Sequence, residues 1–506
     1  QEGSLRKEVV ATGKYSLIYL TGQALSRAIG FFMIPVYTRF IAPSDYGLLE
    51  LIELIISVFA IIMSFGISEG LSRFYYGEKS VEARNEVVST VVCGLALVGI
   101  PVVFGILVFA EPIATIALDG EEYSYFFQVA IIAAWFTMLS DLGLSYLRMI
   151  YMAKVFVLVT ALQLVLALSL NIWLIVYSGL GILGIFYSSL ISQAIIGISL
   201  AVAILYKTNI RFSLRIFREV VKFGLPLIPS RIGVMVGFMS NRFFLRWMAS
   251  ADPAVALAQI GLFSLGHKFG VIINRLVNAP FNSFWVPRRM ELLLSGTSEA
   301  KRTVARICTY AFACLVYLTL LLSAGAESLI EIMVAPSYKG SHVVVPFVGL
   351  SYVLLGLEMH FSAGILHEKK TKWLSYITFF SIPIVIIWNY LLIPVFGLVG
   401  AATSNLAGGV IRVVLIYAVS QWLYRIPYEL DRLVKIFIFA LFIYFFAHII
   451  STSSPWITLF IRLAVASMLP FLLFLVRFYH QGELDCAKYF FLKCLMYIGI
   501  TLKQRS

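Results

Sequence analysis

The sequence predicts an all-α polytopic membrane protein with about 14 transmembrane helices, arranged as two six-helix lobes followed by two extra C-terminal helices. Three observations support this prediction. Hydrophobic residues make up 60% of the 506 positions and charged residues only 13%. The mean hydropathy is +0.93, and apolar stretches long enough to cross a bilayer recur along the whole chain. Finally, the segment at 26–40 recurs at 230–244, which divides most of the chain into two halves.

The apolar stretches predict 14 spans, separated by charged and turn-forming residues. Each is about the length that a helix needs to cross the hydrocarbon core. The predicted spans are 15–40, 46–68, 87–110, 124–147, 155–177, 180–205, 219–247, 256–283, 303–324, 343–365, 373–393, 397–419, 433–450 and 456–476.

Positive charge predicts the orientation of these spans. The formal net charge is +13, and the basic residues collect in alternate loops such as HEKKTK at 367–372. Only Lys339, out of 39 Lys and Arg residues, falls in a loop placed on the other side. Cytoplasmic loops carry the excess of Lys and Arg, so both termini are predicted to be cytoplasmic. This topology accounts for the charge without nucleic acid as a partner, and the five cysteines lack the spacing of a metal site.

The internal repeat predicts the domain organisation. SRAIGFFMIPVYTRF at 26–40 and SRIGVMVGFMSNRFF at 230–244 both begin with Ser-Arg, and both place a glycine nine residues before an Arg-Phe pair. Such a repeat in one orientation is typical of transporters built from two parallel lobes. We therefore expect spans 1–6 to form an N-lobe (1–210) and spans 7–12 a C-lobe (211–420). Residues 421–506 should hold spans 13–14 and an interfacial helix at 486–505.

The N-terminal segment resembles a known family. The matching features are the arginine in an apolar first span, the P-x-D-Y-G turn at 43–47 and the sequence FGISEGLSRFYYG at 65–77. They resemble the polysaccharide biosynthesis membrane proteins, which are Wzx-type lipid-linked oligosaccharide flippases of the MOP (multidrug/oligosaccharidyl-lipid/polysaccharide) superfamily. That superfamily also includes the lipid II flippases and the MATE exporters. The resemblance implies a MATE-like, V-shaped pair of lobes around a central cavity that works by alternating access.

The resemblance also implies a substrate and a location. The substrate would be an undecaprenyl-diphosphate-linked oligosaccharide, such as an O-antigen or another surface polysaccharide repeat unit. It would be moved from the inner to the outer leaflet of a bacterial inner (cytoplasmic) membrane. Expected partners are this lipid-linked substrate, membrane lipids and a polysaccharide polymerase with its chain-length machinery. No cofactor and no metal are expected, and one chain with both lobes suffices as a monomer.

Several polar residues within the predicted spans are candidates for binding the substrate. Gln23 and Arg27 lie in the middle of the first span, and Arg231 is the repeat equivalent of Arg27. Both arginines are predicted to lie roughly 18 Å into their spans, near the bilayer midplane. Lys268 is expected at a similar depth, and Arg275 follows seven residues later, on the same face of a continuous helix. Together they predict a cationic track that suits a diphosphate.

The acidic residues leave alternatives open. Glu50 and Glu53 share one helix face, while Glu358 and His360 lie deep in the tenth span. Buried carboxylates and histidines are typical of relays coupled to a proton or sodium gradient. Such residues also form salt bridges, and a salt bridge with an arginine in the lumen is the preferred interpretation for Glu358. If Arg27 or Arg231 pairs with an acidic residue, its role would be in helix packing. Four other arginines within the spans are expected to snorkel to the head groups: Arg39, Arg242, Arg246 and Arg462.

Two other functions remain as alternatives. A MATE-type multidrug exporter, coupled to an ion gradient, would be expected to line its cavity with acidic residues, whereas this sequence places mostly basic residues at the predicted midplane. A membrane glycan polymerase or ligase would need convergent catalytic groups near a large outer loop, and the sequence has neither. We therefore predict a transporter and not an enzyme.

Overall fold

The structure, a computed structural model, describes residues 33–118, 120–476 and 478–479. Most of the predicted first span and the predicted interfacial helix at 486–505 lie outside these residues. The described chain is helical and contains no strand, which confirms the all-α class. In this part, 11 helical segments are long and apolar enough to cross a membrane. The chain is therefore a multi-pass membrane protein.

The α-helices are numbered here in chain order. They are α1 (Ile34–Phe40), α2 (Pro43–Met63), α3 (Ile67–Gly77), α4 (Val81–Val108), α5 (Ala110–Leu118), α6 (Ser124–Met149), α7 (Ala153–Ile172), α8 (Gly181–Thr208), α9 (Leu214–Gly224), α10 (Ile228–Met248), α11 (Pro253–Gly270), α12 (Ala279–Leu294), α13 (Ser298–Met333), α14 (Val345–Phe361), α15 (Ala363–His367), α16 (Lys372–Leu423), α17 (Leu430–Ile449), α18 (Pro455–Ala466) and α19 (Leu469–Leu475). Turns of π-helix follow α7 and precede α12, at Trp173–Tyr177 and Asn274–Asn278.

The chain forms two compact units. The first contains the described residues up to Lys268 together with Met333–Ser341 and Ile382–Ser404. One of its apolar clusters joins α3, α4, α6, α8 and α9, and its fully buried members include Leu71, Val91 and Val220. Burial of these side chains holds the amphipathic helix α9 against the spans.

The second unit contains Phe269–Ile332, His342–Ser381 and the described residues from Asn405 onward. Its main apolar cluster is formed by α13 to α17 and the last two helices, with Cys308, Ile365 and Ile436 fully buried. Spans 13 and 14 of the prediction therefore contribute to the core of this unit.

Predicted spans 11 and 12 are the two helical halves of the segment labelled α16, which folds back on itself at Gly397. Gly397 interrupts it with a φ of +53°, a conformation that only glycine adopts readily. Pro394, three residues earlier, removes one backbone hydrogen bond from the same stretch. The sequence pattern placed a break between 393 and 397, and the structure confirms it. A Cβ at Gly400 would overlap the carbonyl oxygen of Leu392, and the rings of Trp373 and Trp422, near the two ends of α16, lie 6.1 Å apart.

Predicted span 7 is two helices rather than one. α9 ends at Gly224 and α10 begins at Ile228, with a 3₁₀ turn containing Pro226 between them. α9 buries Val220 and exposes its charged side chains, so it has the amphipathic character of an interfacial helix. The sequence prediction merged the two because proline is tolerated inside membrane helices. α10 is not among the 11 apolar spans; its sequence contains Arg231, Arg242 and Arg246.

A pair of glycines brings α2 and α11 into close contact. Gly47 and Gly261 are both buried. A Cβ atom at Gly47 would overlap the carbonyl oxygen of Leu257, and one at Gly261 would overlap that of Pro43. Small residues permit this approach of two membrane helices. The contact lies within two helical turns of Glu50 on α2 and of Lys268 on α11, so it fixes the distance between their side chains.

We expect Gly47→Ala to separate α2 from α11. The methyl group has no free space, and such overpacking typically costs about 1–3 kcal/mol. The thermal midpoint of the purified variant should fall well below that of the wild type. Gly105→Ala is the matched control, because a Cβ at Gly105 meets nothing within 4 Å. Equal midpoints for the two variants would contradict the contact.

Candidate functional site

One face of α2 is polar although the helix crosses the membrane. From Tyr46 to Ser57 every residue is buried except Glu50, which is half-buried, and Glu53 and Ser57, which are exposed. These three positions are spaced by three and four residues, so they lie on one side of the helix. Because hydrocarbon cannot solvate carboxylates, we expect this face to border a water-filled cavity rather than lipid. We call Glu50, Glu53 and Ser57 the polar face of α2.

Lys268 of α11 reaches this polar face. Its Nζ atom lies 2.7 Å from Glu50 Oε1 and donates a hydrogen bond of 2.5 Å to the Tyr46 hydroxyl. The ammonium also lies 4.8 Å from the centroid of the Tyr46 ring. The ion pair is asymmetric, because the Lys268 side chain is 34% exposed and the Glu50 side chain only 11%. A ligand on the exposed side would therefore meet the ammonium more readily than the carboxylate.

Tyr46 is held rigidly behind this pair. It is 1% exposed, and its ring meets the edge of the Tyr338 ring with centroids 6.0 Å apart. The Tyr338 hydroxyl donates to the carbonyl oxygen of Ile41, just before α2, at 2.9 Å. Pro43 occupies the first position of α2, where its missing N–H costs nothing. The P-x-D-Y-G turn thus starts the helix, supplies Tyr46 and provides the Gly47 contact.

Arg231 is exposed in the first turn of α10. The predicted depth of about 18 Å assumed a helix beginning at 219, which the break at Leu225–Leu227 rules out. α10 and α11 share the short connection 249–252, and Arg231 lies about 26 Å along α10 from it. Lys268 lies about 23 Å along α11 from the same connection. Arg231 and Lys268 are therefore at comparable depth, although Arg231 is near a helix end.

Arg275 does not follow Lys268 on a continuous α-helix. α11 ends at Gly270, and Arg275 lies in the π-helical turn Asn274–Asn278, where its side chain is exposed. A π turn advances by a different angle per residue, so the seven-residue spacing no longer implies a shared face. Gln23 and Arg27, the other two predicted binding residues, lie outside the described residues.

Glu358 and His360 lie in enclosed surroundings in the second unit. Glu358 Oε1 accepts a 2.9 Å hydrogen bond from Arg412 Nε, and both side chains are nearly buried, at 12% and 13% exposed. His360 is buried beside the rings of Phe281 and Trp285. Neither residue presents an exposed charge comparable to that of Lys268. Across the described ranges, no three His, Cys, Asp or Glu side chains group as a metal site.

More than half of the chain matches a known sequence family. The sequence model described as "Polysaccharide biosynthesis protein" matches residues 13–292, which is more than half of the chain. The chain belongs to the polysaccharide biosynthesis protein family. The matched region includes α2, α10 and α11, which carry Glu50, Arg231 and Lys268. No curated protein matches the chain at a significant level.

Solved structures share the fold. The lipid II flippase MurJ in an inward closed conformation aligns with a TM-score of 0.69 at 15% identity, covering 92% of this chain and 98% of that one. MATE family transporters of the MOP superfamily align with TM-scores of 0.59 (inward-facing) and 0.54 (outward-facing), each at 16% identity. They cover 82% and 83% of this chain and 95% of theirs. At this level of identity the alignments show that the chain shares the fold of these proteins.

The expectation that four arginines snorkel was wrong for three of them. Arg242, Arg246 and Arg462 are buried. Arg242 lies over the Phe263 ring at 5.1 Å, Arg246 donates to the Leu118 carbonyl oxygen at 3.2 Å, and Arg462 forms an ion pair with Glu327 at 2.6 Å. Hydropathy gives depth but not the position of partners on neighbouring helices. Arg39 is exposed.

Sequence reasoning missed Arg289 as well as the role of Tyr46. Arg289 is 1% exposed and donates hydrogen bonds to the carbonyl oxygens of Met359 and His360, where α14 ends. A cation there complements the negative end of the helix dipole. Its neighbour in sequence, Arg288, is half-exposed, so the pair looked like an ordinary basic loop.

We expect Arg412→Met to destabilise the protein by about 3–5 kcal/mol, because Glu358 would keep a buried charge without its partner. Replacing both residues, as Glu358→Leu with Arg412→Met, should cost clearly less than this single change. Thermal unfolding of the two variants in detergent measures the difference. A double variant that is less stable than Arg412→Met would show that the two side chains do not depend on each other.

Proposed function

We propose that the protein is a flippase that moves an undecaprenyl-diphosphate-linked oligosaccharide from the inner to the outer leaflet by alternating access. The observation that carries this proposal is the accessible ammonium of Lys268 beside the polar face of α2, within membrane-crossing helices. An anionic head group needs such a group to pass the hydrocarbon. Membership of the polysaccharide biosynthesis family supports a glycan as the cargo.

Lys268 and Arg231 are the proposed contacts for the diphosphate. Lys268 offers a point charge with three N–H donors, and Arg231 offers a planar group that binds phosphate oxygens through two hydrogen bonds. Both are accessible, and both lie at comparable distances from the connection 249–252. Arg27, Gln23 and Arg275 remain proposed members of the same cationic track.

The proposed location is a bacterial inner membrane with both termini in the cytoplasm. The distribution of Lys and Arg among the loops supports this orientation. A polysaccharide polymerase and its chain-length machinery would take up the flipped substrate, and a monomer would suffice for transport. A proton or sodium gradient is the proposed energy source, with Glu50, Glu53, Glu358 and His360 as candidate coupling residues.

A MATE-type exporter of cationic compounds is the second candidate. The exposed carboxylate of Glu53 favours it, because a negative group on the polar face attracts cations. Against it stands Arg231, an exposed cation at a depth comparable to that of Lys268. The two functions differ in the charge of the molecule that is moved.

The flippase proposal predicts that Arg231→Ala slows flipping at least tenfold. The assay is flipping of undecaprenyl-diphosphate-linked oligosaccharide in proteoliposomes, with and without an imposed proton or sodium gradient. Arg231→Lys should retain part of the rate, because it keeps the charge but loses the planar group. Arg215→Ala is the matched control, since Arg215 is an exposed arginine on the interfacial helix α9.

A wild-type flipping rate in Arg231→Ala, equal to that of the Arg215→Ala control, would contradict the proposed diphosphate contact. Efflux of cationic compounds without flipping of any lipid-linked sugar would support the exporter instead.

A further inference from the structure

The Lys268–Glu50 ion pair suggests how a bound head group is released. Lys268 has three N–H donors; one is donated to the Tyr46 hydroxyl, and Glu50 Oε1 lies 2.7 Å from the ammonium. Within the described ranges, the structure shows no hydrogen-bond acceptor for the third donor. The ammonium is also the more exposed partner of the pair. An incoming anion can therefore contact Lys268 while Glu50 is still bound to it.

An anion and Glu50 cannot both neutralise one ammonium. Lys268 carries a single positive charge, whereas the pair plus a diphosphate would carry an excess of negative charge at one point. Near a protein surface, two like unit charges about 4 Å apart still repel each other by several times the thermal energy, so the bound anion displaces the carboxylate from Lys268.

We propose that Glu50 is a tethered competitor for Lys268, a role that rests on the proposed function. Glu50 gives up the ammonium when the diphosphate binds and recovers it as the diphosphate leaves. Without a head group, the ion pair neutralises Lys268 and lowers the free-energy cost of keeping its charge within the membrane. With a head group, the waiting carboxylate limits the affinity, so the substrate is not trapped halfway.

The rigid surroundings make this exchange possible. Tyr46 keeps a hydrogen bond to Lys268, and the hydroxyl of Tyr338 anchors the chain just before α2. The Gly47–Gly261 contact fixes the helices that carry the two charges. Only the carboxylate of Glu50 needs to rotate, while the ammonium stays in place. Glu50 is thus a positioning residue for affinity and release.

The test compares Glu50→Gln with the wild type. Glutamine keeps the shape and a hydrogen-bond acceptor but removes the competing charge. Inorganic pyrophosphate, titrated calorimetrically into the full chain in nanodiscs, should bind Glu50→Gln at least tenfold more tightly. Flipping of the lipid-linked oligosaccharide should become slower because release is impaired. Glu50→Asp, which restores the charge, should return both values toward the wild type.

Glu327→Gln is the matched control, because Glu327 also forms an ion pair with a basic side chain, that of Arg462, but belongs to the second unit. It should leave pyrophosphate binding unchanged. Pyrophosphate binding to Glu50→Gln that is equal to or weaker than wild-type binding would overturn the inference, as would no binding to either protein. Thermal unfolding checks that the variants are folded.

Failure of the flippase proposal would look different. If the wild type flips no lipid-linked oligosaccharide but Glu50→Gln binds pyrophosphate more tightly, the competition of Glu50 for Lys268 is supported and the flippase proposal is contradicted. If the wild type flips the lipid-linked oligosaccharide, but Glu50→Gln has the same pyrophosphate affinity and flipping rate as the wild type, the competition is contradicted and the flippase proposal stands.

Discussion

The ion pair between Lys268 and Glu50 is the interaction on which the site depends. A lone charge at this depth of a membrane is costly, and an ion pair with a hydrogen-bonding tyrosine reduces that cost. The pair exists because Gly47 and Gly261 let α2 and α11 approach closely. Tyr46 and Tyr338 then fix the ammonium from the buried side. The exposed side of Lys268 is left for a ligand.

The second unit contains a contrasting ion pair. Glu358 and Arg412 are both nearly buried, whereas Lys268 is one-third exposed. An enclosed pair holds helices in register, while an open pair can exchange one partner for a ligand. Arg289 adds to the enclosed group by binding the carbonyl oxygens at the end of α14. The difference in exposure, not the residue types, separates a structural role from a binding role.

Much of the fold could be predicted from the sequence, because apolar length alone identifies membrane helices. The described helices agree with the predicted spans from 46–68 onward, except where helical and interfacial segments meet. Hydropathy could not separate α9 from α10, since the amphipathic helix and the span follow each other without a polar loop. It did place the break between spans 11 and 12, because Pro394 and Gly397 interrupt an otherwise apolar stretch.

The candidate site was predictable only in part. An apolar background makes Glu50, Arg231 and Lys268 stand out, but it does not say which charges meet. The contact of Lys268 with Glu50 joins residues 218 positions apart in a chain whose helix order alone does not set the pairing. The π turn at Asn274–Asn278 changed the direction of Arg275 for a reason that spacing cannot reveal. The role of Tyr46 was concealed in a turn motif that was interpreted only as a family feature.

The central claim is that the polar face of α2 borders water and not lipid. Single cysteines at Glu53 and at Phe104, placed in a variant without the five native cysteines, test it directly with a charged, water-soluble maleimide. Phe104 is 67% exposed on the apolar helix α4 and serves as the lipid-facing reference. We predict rapid labelling of the cysteine at 53 and little labelling of the cysteine at 104. Equally slow labelling at both positions would contradict the claim.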